Sequence, residues 1–342
     1  MRQLTFVEPG ELEWQEVEDP VLEAPGEALV RPLAVAACDL DQAIVAGETP
    51  FAGPFALGHE CVAEVVQAGE AVEGWSAGDR AIVSFQIACG ACESCRRGRS
   101  GNCRRVARGS MYGVGPVAGN WGGALADLLR VPFPASMLVP APAGSSPAAL
   151  ASVSDNVSDA YRTVAGPLAS EPGADILIVG GGAASISLYA VDIARALGAS
   201  QVHFLDHDPD RLELAAALGA EPVEMQATSF PSRAGSFAIT VDASGDPDGL
   251  GCALRSTAPD GTCTSVGIYY SPETPVPLLE MYAKGVSFYT GRPHARGLIP
   301  AVMELIAAGR IQPERVTTAV VPWEAAAEEL LNPRTKLVIA RD

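Results

Sequence analysis

The stretch Asp175-Ile-Leu-Ile-Val-Gly-Gly-Gly-Ala-Ala-Ser185 decides the fold of the second half of the chain. Its apolar run at 176–179 predicts a short buried strand, and the glycines that follow open a helix with apolar periodicity to about Leu197. Gly180 and Gly182 match the first two glycines of the dinucleotide-binding pattern, where the backbone turns tightly and approaches a pyrophosphate. Ser185 takes the third position, which serves helix–strand packing. The stretch therefore predicts a dinucleotide site.

An acidic residue at the end of the next strand extends this pattern. Residues 201–206 predict a second strand that ends at Asp206, 26 residues after Gly180. A carboxylate there accepts hydrogen bonds from the adenosine ribose and repels a 2′-phosphate. The two residues after Asp206 offer no arginine to such a phosphate, although Arg211 follows nearby. We expect NAD(H) rather than NADP(H), and a domain that binds another nucleotide, or none, is the alternative.

Elements further along the chain indicate two different domains. A helix at 209–218 and strands at 237–241 and 262–267 continue the strand–helix alternation, which predicts right-handed βαβ units and a parallel sheet. The first ~150 residues instead carry many Gly and Pro residues and short apolar runs, at 28–35 and 61–66 for example, which is typical of an irregular β-rich domain. The end of the chain predicts a helix near 298–308 and a strand at 336–340.

Length and charge exclude several classes of protein. The chain has 342 residues, which suggests two domains, and 41 acidic against 23 basic residues give a net charge of −18. That balance disfavours binding to nucleic acid and to anionic membrane surfaces, both of which reward clustered Lys and Arg. No apolar run reaches the ~18 residues of a membrane span, and the first residues lack a secretory signal, so we expect a cytoplasmic protein.

The cysteines indicate a metal rather than disulfides. Four of the eight lie within fifteen residues, in the spacing C-x2-C-x2-C-x7-C: Cys89, Cys92, Cys95 and Cys103. Clustered thiols in a chain without a secretory signal are typical of metal ligands. Four sulfurs with no open position predict a structural zinc site, although an iron–sulfur cluster has similar ligands and stays open.

The motifs and their order resemble those of zinc-containing alcohol dehydrogenases of the medium-chain dehydrogenase/reductase (MDR) superfamily. The resemblance covers essentially the full length and is carried by Cys38-Asp-Leu-Asp41, Gly58-His-Glu60, Ala77-Gly-Asp-Arg80, the 89–103 cysteines and the 180–206 nucleotide segment. It implies an α/β protein. A GroES-like β-rich catalytic domain of residues 1–148 and 291–342, with a zinc lobe at 85–110, would join a Rossmann doubly wound domain of residues 149–290. It also implies a homodimer or homotetramer that acts on a small-molecule alcohol or carbonyl.

The resemblance also implies a catalytic zinc. Its ligands would be Cys38, His59 and Asp155, the last chosen because it lies six residues before Tyr161 as in the family, with Asp159 as a competing acid. Glu60 would be a further ligand during exchange, and Asp41 would orient the histidine. Zinc would act as a Lewis acid while hydride passes between an alcohol/carbonyl pair and NAD(H).

The resemblance also implies residues that contact the substrate and the cofactor. The resemblance assigns Phe85, Tyr112 and Trp121 to the substrate pocket, and it assigns the strand end at Val266, Gly267 and Ile268, together with Arg292 and Lys336, to the cofactor.

One departure from the family keeps two other functions open. The usual proton relay has a hydroxyl and an imidazole where this chain has Leu40 and Ala43, and His294 is a candidate substitute. A zinc-containing NAD(P)H reductase of C=C or C=N bonds would not need that relay. A non-catalytic NAD-binding relative is the remaining alternative.

Overall fold

The structure, a computed structural model, describes residues 1–226 and 229–341, and its contacts divide the chain into two units. The first unit consists of Met1–Ser158, Pro293–Glu304 and Gln312–Asp342, and the second of Asp159–Arg292 and Leu305–Ile311. The first unit is therefore discontinuous in sequence. No helix in the described part of the chain has the length and apolar character needed to cross a bilayer.

The strands, in chain order, are β1 (Arg2–Glu8), β2 (Glu11–Glu16), β3 (Ala28–Ala36), β4 (Phe55–Ala56), β5 (Glu60–Ala68), β6 (Arg80–Val83), β7 (Leu129–Val131), β8 (Leu138–Pro140), β9 (Ile176–Val179), β10 (Val202–Asp206), β11 (Glu221–Glu224), β12 (Phe237–Asp242), β13 (Thr257–Ser265), β14 (Ser287–Tyr289), β15 (Ala319–Pro322) and β16 (Leu337–Ala340). The α-helices are α1 (Asp39–Val45), α2 (Glu93–Arg96), α3 (Pro134–Met137), α4 (Pro147–Leu150), α5 (Asn156–Ser170), α6 (Ala184–Leu197), α7 (Pro209–Ala217), α8 (Pro247–Ser256), α9 (Leu278–Lys284), α10 (Ala295–Ala307) and α11 (Ala326–Glu329).

The first unit is built on β-structure, as predicted. Its main sheet has the order β15-β16-β3-β5-β6-β8, with β7 also paired to β3, and a smaller sheet has the order β2-β1-β4. Strands β3 and β5, which contain the predicted apolar runs, pair antiparallel along most of their length. Both are mostly buried, so near-continuous apolar runs rather than alternating ones mark them in the sequence. The closing strand β16 pairs with β3 and brings the end of the chain into this sheet.

The second unit is a doubly wound parallel sheet, which confirms the predicted fold class. The strand order is β11-β10-β9-β12-β13-β14, and every pair is parallel. The order reverses direction between β9 and β12, and the carboxyl ends at such a point are where open α/β sheets bind ligands. Val179 pairs with Leu205 on one side and with Asp242 on the other, so Gly180 leaves the sheet at this point.

Local sequence explains where the helices near this edge begin. Asp208 caps α7 by accepting hydrogen bonds from the N–H groups of Asp210 and Arg211, and Pro209 follows it at the first helical position. Asp246 and Pro247 repeat the arrangement at α8. Helix α6 ends at Leu197 and is followed by Gly198, whose φ of 94° is the left-handed conformation that glycine adopts readily.

Candidate active site

Cys38 lies at the start of α1, where a capping arrangement fixes both its backbone and its thiol. The Cys38 N–H donates to Asp41 Oδ2 at 2.9 Å, and Cys38 Sγ accepts from the Leu40 N–H at 3.5 Å. A side chain at the N-cap and an acid three residues later form the usual reciprocal cap of a helix start. Here the capping group is a thiol, so the helix start holds a sulfur in a defined position.

His59 stands between β4 and β5, where a glycine makes room for the chain. Gly58 has a φ of 88°, and a Cβ on it would lie 3.0 Å from Leu125 N, so a side chain is disfavoured there on two grounds. His59 Nδ1 lies 3.3 Å from Asp41 Oδ1, which orients the ring. Asp41 therefore contacts both His59 and the Cys38 backbone, as expected of a residue that positions a ligand.

Asp155 follows the 3₁₀ turn Ala151–Ser154 and directly precedes α5. The residue is 7% exposed, and its Oδ2 lies 3.3 Å from His59 Nε2 and 3.7 Å from Cys38 Sγ. Donor atoms of Cys38, His59 and Asp155 all lie within 4.8 Å of one another, and all three residues are buried. The three residues that the resemblance grouped are thus brought together from three separate segments. Asp159, the competing acid, pairs with Arg162 instead.

This donor set fits a zinc ion. A tetrahedral ion with bonds of about 2.0–2.3 Å sets its ligand atoms about 3.3–3.8 Å apart, which agrees with the two distances to Asp155 Oδ2. Thiolate, imidazole and carboxylate are ligands that zinc accepts, and three of them leave a fourth position open.

The pKa values of Cys38 and His59 also favour a bound metal ion in this cluster. Burial raises the pKa of Cys38 to about 12, although its contact with His59 opposes the rise. Burial by itself lowers the pKa of His59, but the carboxylates of Asp41 and Asp155 outweigh it and the pKa is raised well above its usual value. A buried thiol becomes a thiolate only with a cation beside it, so a divalent metal that displaces these protons suits the site.

Behind the cluster lies a buried network that sequence reasoning did not foresee. Glu60 Oε1 accepts from the Asn156 N–H at 2.7 Å, and Glu60 Oε2 accepts from Lys336 Nζ at 2.6 Å. Lys336 also donates to Asn156 Oδ1 and, at 2.9 Å, to the Ala37 carbonyl. With its oxygen bound to Lys336, the Asn156 amide turns its Nδ2 toward Cys38 Sγ, 3.3 Å away. The network therefore adds a second donor to the thiol, besides the Leu40 N–H of the helix cap.

This network corrects the expectation for Lys336 and limits the one for Glu60. Both side chains are fully buried. Lys336 has no surface to offer a cofactor phosphate or ribose, because its ammonium is turned inward onto Glu60. Glu60 is not among the converging donor atoms, and both of its oxygens are bound elsewhere. Burial raises the pKa of Glu60 to about 8, with Lys336 opposing the rise.

The predicted pocket aromatics lie in different environments. The Phe85 ring centroid is 5.6 Å from that of His59, so Phe85 borders the cluster. Tyr112 is fully buried and its hydroxyl donates to the Arg130 carbonyl at 2.8 Å, so it is a core residue and its assignment to the pocket is wrong. Trp121 is partly buried against the core, with the Arg130 guanidinium 6.0 Å from its ring centroid.

The positions of the missing relay hold apolar side chains, and the candidate substitute, His294, contacts the cysteine lobe (residues 85–110). Leu40 packs partly buried against the core of the first unit. His294 accepts a hydrogen bond through Nδ1 from the Gly101 N–H at 3.2 Å, so the neutral imidazole carries its proton on Nε2. Gln86 binds the neighbouring Pro293 carbonyl at 2.7 Å and fixes this segment beside the lobe.

The four clustered cysteines form a second candidate metal site in the first unit. Their sulfur atoms lie within 4.8 Å of one another. Cys89 Sγ accepts from the Cys92 N–H at 3.3 Å, and Cys92 Sγ accepts from the Arg104 N–H at 3.4 Å. Such N–H contacts lower the pKa of Cys92 to about 6 and favour the thiolate that a metal needs. Four sulfurs that converge with no fifth donor are typical of a closed structural zinc site.

In the second unit, the glycine turn lies at the switch point of the parallel sheet. A Cβ on Gly180 would lie 2.3 Å from Asp206 Oδ2, so only glycine allows β9 and β10 to end this close together. The Gly182 N–H donates to the Ser244 carbonyl at 2.8 Å and the Ala183 N–H to the Ala243 carbonyl at 2.9 Å, which ties the turn to the end of β12. Ser185 is fully buried in the first turn of α6, consistent with a packing role.

Asp206 has a partner that the sequence left undecided. Its Oδ2 accepts from Arg211 Nε at 2.9 Å and its Oδ1 from Arg211 Nη2 at 2.6 Å, while the His207 and Asp208 N–H groups also donate to Oδ1. Arg211 therefore makes a bidentate contact with the carboxylate, and Asp206 is fully buried beneath it. An arginine held in this way is oriented by the acid.

The strand end at 266–268 is held by a second buried acid that the sequence analysis missed. Asp242, at the end of β12, accepts from the hydroxyls of Ser265 at 2.6 Å and Tyr269 at 2.7 Å. Burial and this carboxylate raise the pKa of Tyr269, which keeps it a hydrogen-bond donor. Val266 is buried, whereas Ile268 is 52% exposed. The signal available in the sequence was an acid at the carboxyl end of a strand next to the glycine turn.

Comparison with known proteins gives a family-model match in each half of the chain. Residues 24–143 match the model of the alcohol dehydrogenase GroES-like domain, and residues 185–308 match that of the zinc-binding dehydrogenases. A probable zinc-binding alcohol dehydrogenase from Mycobacterium tuberculosis is 29% identical over 321 residues, which are 93% of this chain and 81% of the relative. An L-threonine 3-dehydrogenase from Pyrococcus horikoshii is 30% identical over 258 residues, or 72% and 69% of the two chains. Among solved structures, an alcohol dehydrogenase from Thermus sp. ATN1 superposes with a TM-score of 0.87 at 32% identity and covers 100% of both chains.

Proposed function

We propose that this chain, which belongs to the zinc-containing alcohol dehydrogenases of the medium-chain dehydrogenase/reductase superfamily, interconverts an alcohol and its aldehyde or ketone with NAD(H) as the hydride carrier. The observation that carries the proposal is the buried convergence of Cys38, His59 and Asp155 in a chain whose other unit has a dinucleotide-binding fold. The three residues would hold a catalytic zinc, and the four lobe cysteines a structural one.

Each member of the cluster has a defined task in this proposal. When bound there, zinc supplies a Lewis acid that lowers the pKa of an alcohol and polarises a carbonyl. Asp41 holds His59 so that Nε2, rather than Nδ1, faces the cluster. Asn156 and the N–H of Leu40 donate to the Cys38 sulfur and limit its motion. Since all three ligands are nearly excluded from solvent, the site keeps bulk water away from the reacting atoms.

NAD(H) is proposed rather than NADP(H) because of Asp206. Its carboxylate ends β10 beside the glycine turn, where an acid disfavours a 2′-phosphate. Because Asp206 is fully buried beneath Arg211, its contact with the ribose hydroxyls requires the Arg211 guanidinium to move aside. Arg211, the nearby cation, uses two donors on Asp206. In this proposal Gly180 and Gly182 form the turn around the pyrophosphate, and Val266, Gly267 and Ile268 border the nicotinamide.

A reductase of C=C or C=N bonds is the second candidate, and the apolar residues Leu40 and Ala43 are the observation that favours it. Neither side chain can carry the proton that alcohol oxidation releases. Reduction of an activated alkene or imine also takes up a proton, but that proton goes to a carbon or nitrogen atom and is not exchanged with an alcohol oxygen, so loss of the relay at these positions would be neutral for that activity.

Initial-rate measurements distinguish the two candidates. NADH oxidation is followed with panels of aldehydes, ketones, enones and imines, and NAD⁺ reduction with alcohols, each repeated with the phosphorylated cofactor. The proposal predicts turnover of an alcohol/carbonyl pair with NAD(H) preferred, and Asp155→Ala abolishes it. Turnover of enones or imines alone would establish the second candidate. Binding of NADH without turnover of any panel member would indicate a non-catalytic relative.

We also propose that the chain forms a homodimer or homotetramer. Helix α9 in the second unit exposes Leu278, Leu279 and Tyr282 by 67%, 82% and 84%, and it lies next in sequence to the edge strand β14. Apolar side chains exposed to this degree in one short segment are typical of a contact surface. Light scattering should give a mass of at least two chains, and Leu279→Glu should lower it, whereas a monomeric wild type would refute the proposal.

A further inference from the structure

A solvent-open cavity of about 450 Å³ lies beside the cysteine lobe in the first unit, apart from the Cys38 cluster. One wall is formed by lobe residues that include Gly98, Ser100 and two of the candidate zinc ligands, Cys89 and Cys95, so the cavity borders that metal site. The other wall is formed by Ser136 and the first turn of α10 with Arg296 and Gly297. No residue of the lining belongs to the Cys38, His59 and Asp155 cluster or to the nucleotide segment. Its volume lies within the range of about 300–1,000 Å³ that small-molecule sites occupy.

Arg296 in this wall is a half-buried cation without an acidic partner. Its Nε donates to the Ser136 carbonyl at 2.6 Å, which fixes the direction of the guanidinium. Among the residues that the structure describes, no Asp or Glu oxygen lies within 4.0 Å of it. Burial accordingly lowers the pKa of Arg296 with no carboxylate to oppose the effect. The chain has 41 acidic residues, yet none of those described pairs with this half-buried arginine. Because such a charge is costly unless something neutralises it, an unpaired Arg296 points to an anionic ligand.

The charge around the cavity has the sign opposite to that of the rest of the chain. Residues 89–108 contain six arginines and one glutamate, and with four cysteine thiolates around one zinc ion the local charge is +3 within a chain of −18. Three of these arginines, at 96, 97 and 99, flank Gly98 of the cavity wall. All six are exposed, so their field reaches the cavity mouth, where it attracts anions and repels cations.

Donors other than Arg296 are also available in the wall. The Ser136 hydroxyl makes no hydrogen bond to any residue within the described ranges. The first turn of α10, a helix of 13 residues, adds the positive end of its dipole, although the Gly297 N–H itself is used by the His294 carbonyl.

We propose that this cavity binds a small organic anion that bears a phosphate or carboxylate group, with Arg296 as the charged contact and the Ser136 hydroxyl as a second donor. Both groups present oxygens that match the planar guanidinium fork. The cavity is larger than inorganic phosphate needs, so the natural ligand carries an organic part against the apolar portion of the lining.

Calorimetric titration of the full-length protein tests the proposal with two probes, inorganic phosphate and succinate, at low ionic strength. Excess NADH is present throughout to occupy the nucleotide site. We expect one equivalent of at least one probe to bind the wild-type protein, and the comparison of the two arms identifies the preferred anionic group.

Two variants remove the site by different means. Arg296→Gln deletes the charge and should weaken binding about tenfold or more, as loss of a hydrogen bond to a charged group does. Gly297→Phe leaves Arg296 intact and fills the cavity, since a Cβ at Gly297 has only the Gly98 carbonyl oxygen within 4 Å, at 3.7 Å. It should weaken binding to a similar extent.

Arg108→Gln is the matched control, because it removes an exposed lobe arginine that does not line the cavity. Its affinity should stay within about twofold of the wild type, as expected for an exposed charge outside the site. Failure of both probes to bind the wild type would overturn the proposal. So would binding to Arg296→Gln and Gly297→Phe with wild-type affinity while circular dichroism shows both variants folded.

Discussion

Replacing Lys336 with methionine tests the buried network behind the metal cluster. Lys336 and Glu60 are both fully buried, and the ammonium contacts Glu60, the Ala37 carbonyl and Asn156. Methionine fills similar volume but leaves the Glu60 carboxylate without its cation. Removal of one partner from a buried ion pair destabilises a protein by about 3–5 kcal/mol, so we expect the first unit to lose stability in that range at pH 9, where Glu60, with a pKa of about 8, is ionised.

The stability lost in Lys336→Met should increase with pH. In the wild type, the folded pKa of Glu60 is about 8, above its ordinary value of 4.5, so stability falls as pH rises between these values. Without the Lys336 ammonium, the folded pKa of Glu60 moves higher still. The variant therefore continues to lose stability above pH 8, where the wild type has stopped, and the difference between them is larger at pH 9 than at pH 7.

Urea unfolding followed by tryptophan fluorescence is the appropriate assay. All four tryptophans, at positions 14, 75, 121 and 323, lie in the first unit, so the signal reports that unit rather than the nucleotide-binding one. Lys336→Met with Glu60→Gln is the control, because glutamine still accepts from the Asn156 N–H and carries no charge. The double variant should recover most of the lost stability. A loss below about 1 kcal/mol at pH 9 in the single variant would refute the reasoning, because a buried charge left unpaired costs more than that.

Three further substitutions test the remaining parts of the site. Asp41→Asn should weaken zinc binding at the Cys38 cluster about 10- to 100-fold, because an amide next to His59 Nδ1 favours the tautomer that is protonated on Nε2; a chelator competition measures it, and unchanged affinity would contradict the orienting role. Asp206→Ala should relax the preference for NAD(H), and an unchanged ratio of kcat/KM for the two cofactors would refute the assignment. Gly180→Ala should raise KM for NAD⁺ with little effect on zinc content, since the added methyl collides with the Asp206 carboxylate at 2.3 Å; an unaltered KM would show that the turn tolerates a side chain.

Features that depend on neighbouring residues were predictable from the sequence. The strand–turn–helix at 176–197 and the strand that ends at Asp206 are local patterns, and the structure has them within one or two residues of the predicted bounds. The lobe cysteines were grouped by spacing alone, and their sulfurs do converge. Strand β13 was only partly predicted, because it begins at Thr257 with polar and turn-forming residues that hide its first half.

Features that depend on distant residues were not predictable. Lys336 is 276 residues from Glu60, and no periodicity or spacing signals that β16 delivers an ammonium beneath the cluster. Asn156 directly follows Asp155, yet its contact with Cys38 depends on how α5 starts rather than on its own residue type. The grouping of Cys38, His59 and Asp155 came from the family resemblance, since a cysteine and a histidine 21 residues apart do not by themselves indicate a site.

Zinc stoichiometry tests the central claim most directly. Elemental analysis of protein purified with zinc present should give two ions per wild-type chain, and Asp155→Ala should retain one, in the cysteine lobe, while losing activity. Fewer than two ions in the wild type would contradict the two-site account. Two ions and full activity in Asp155→Ala would show that the buried cluster is not where this protein holds its catalytic metal.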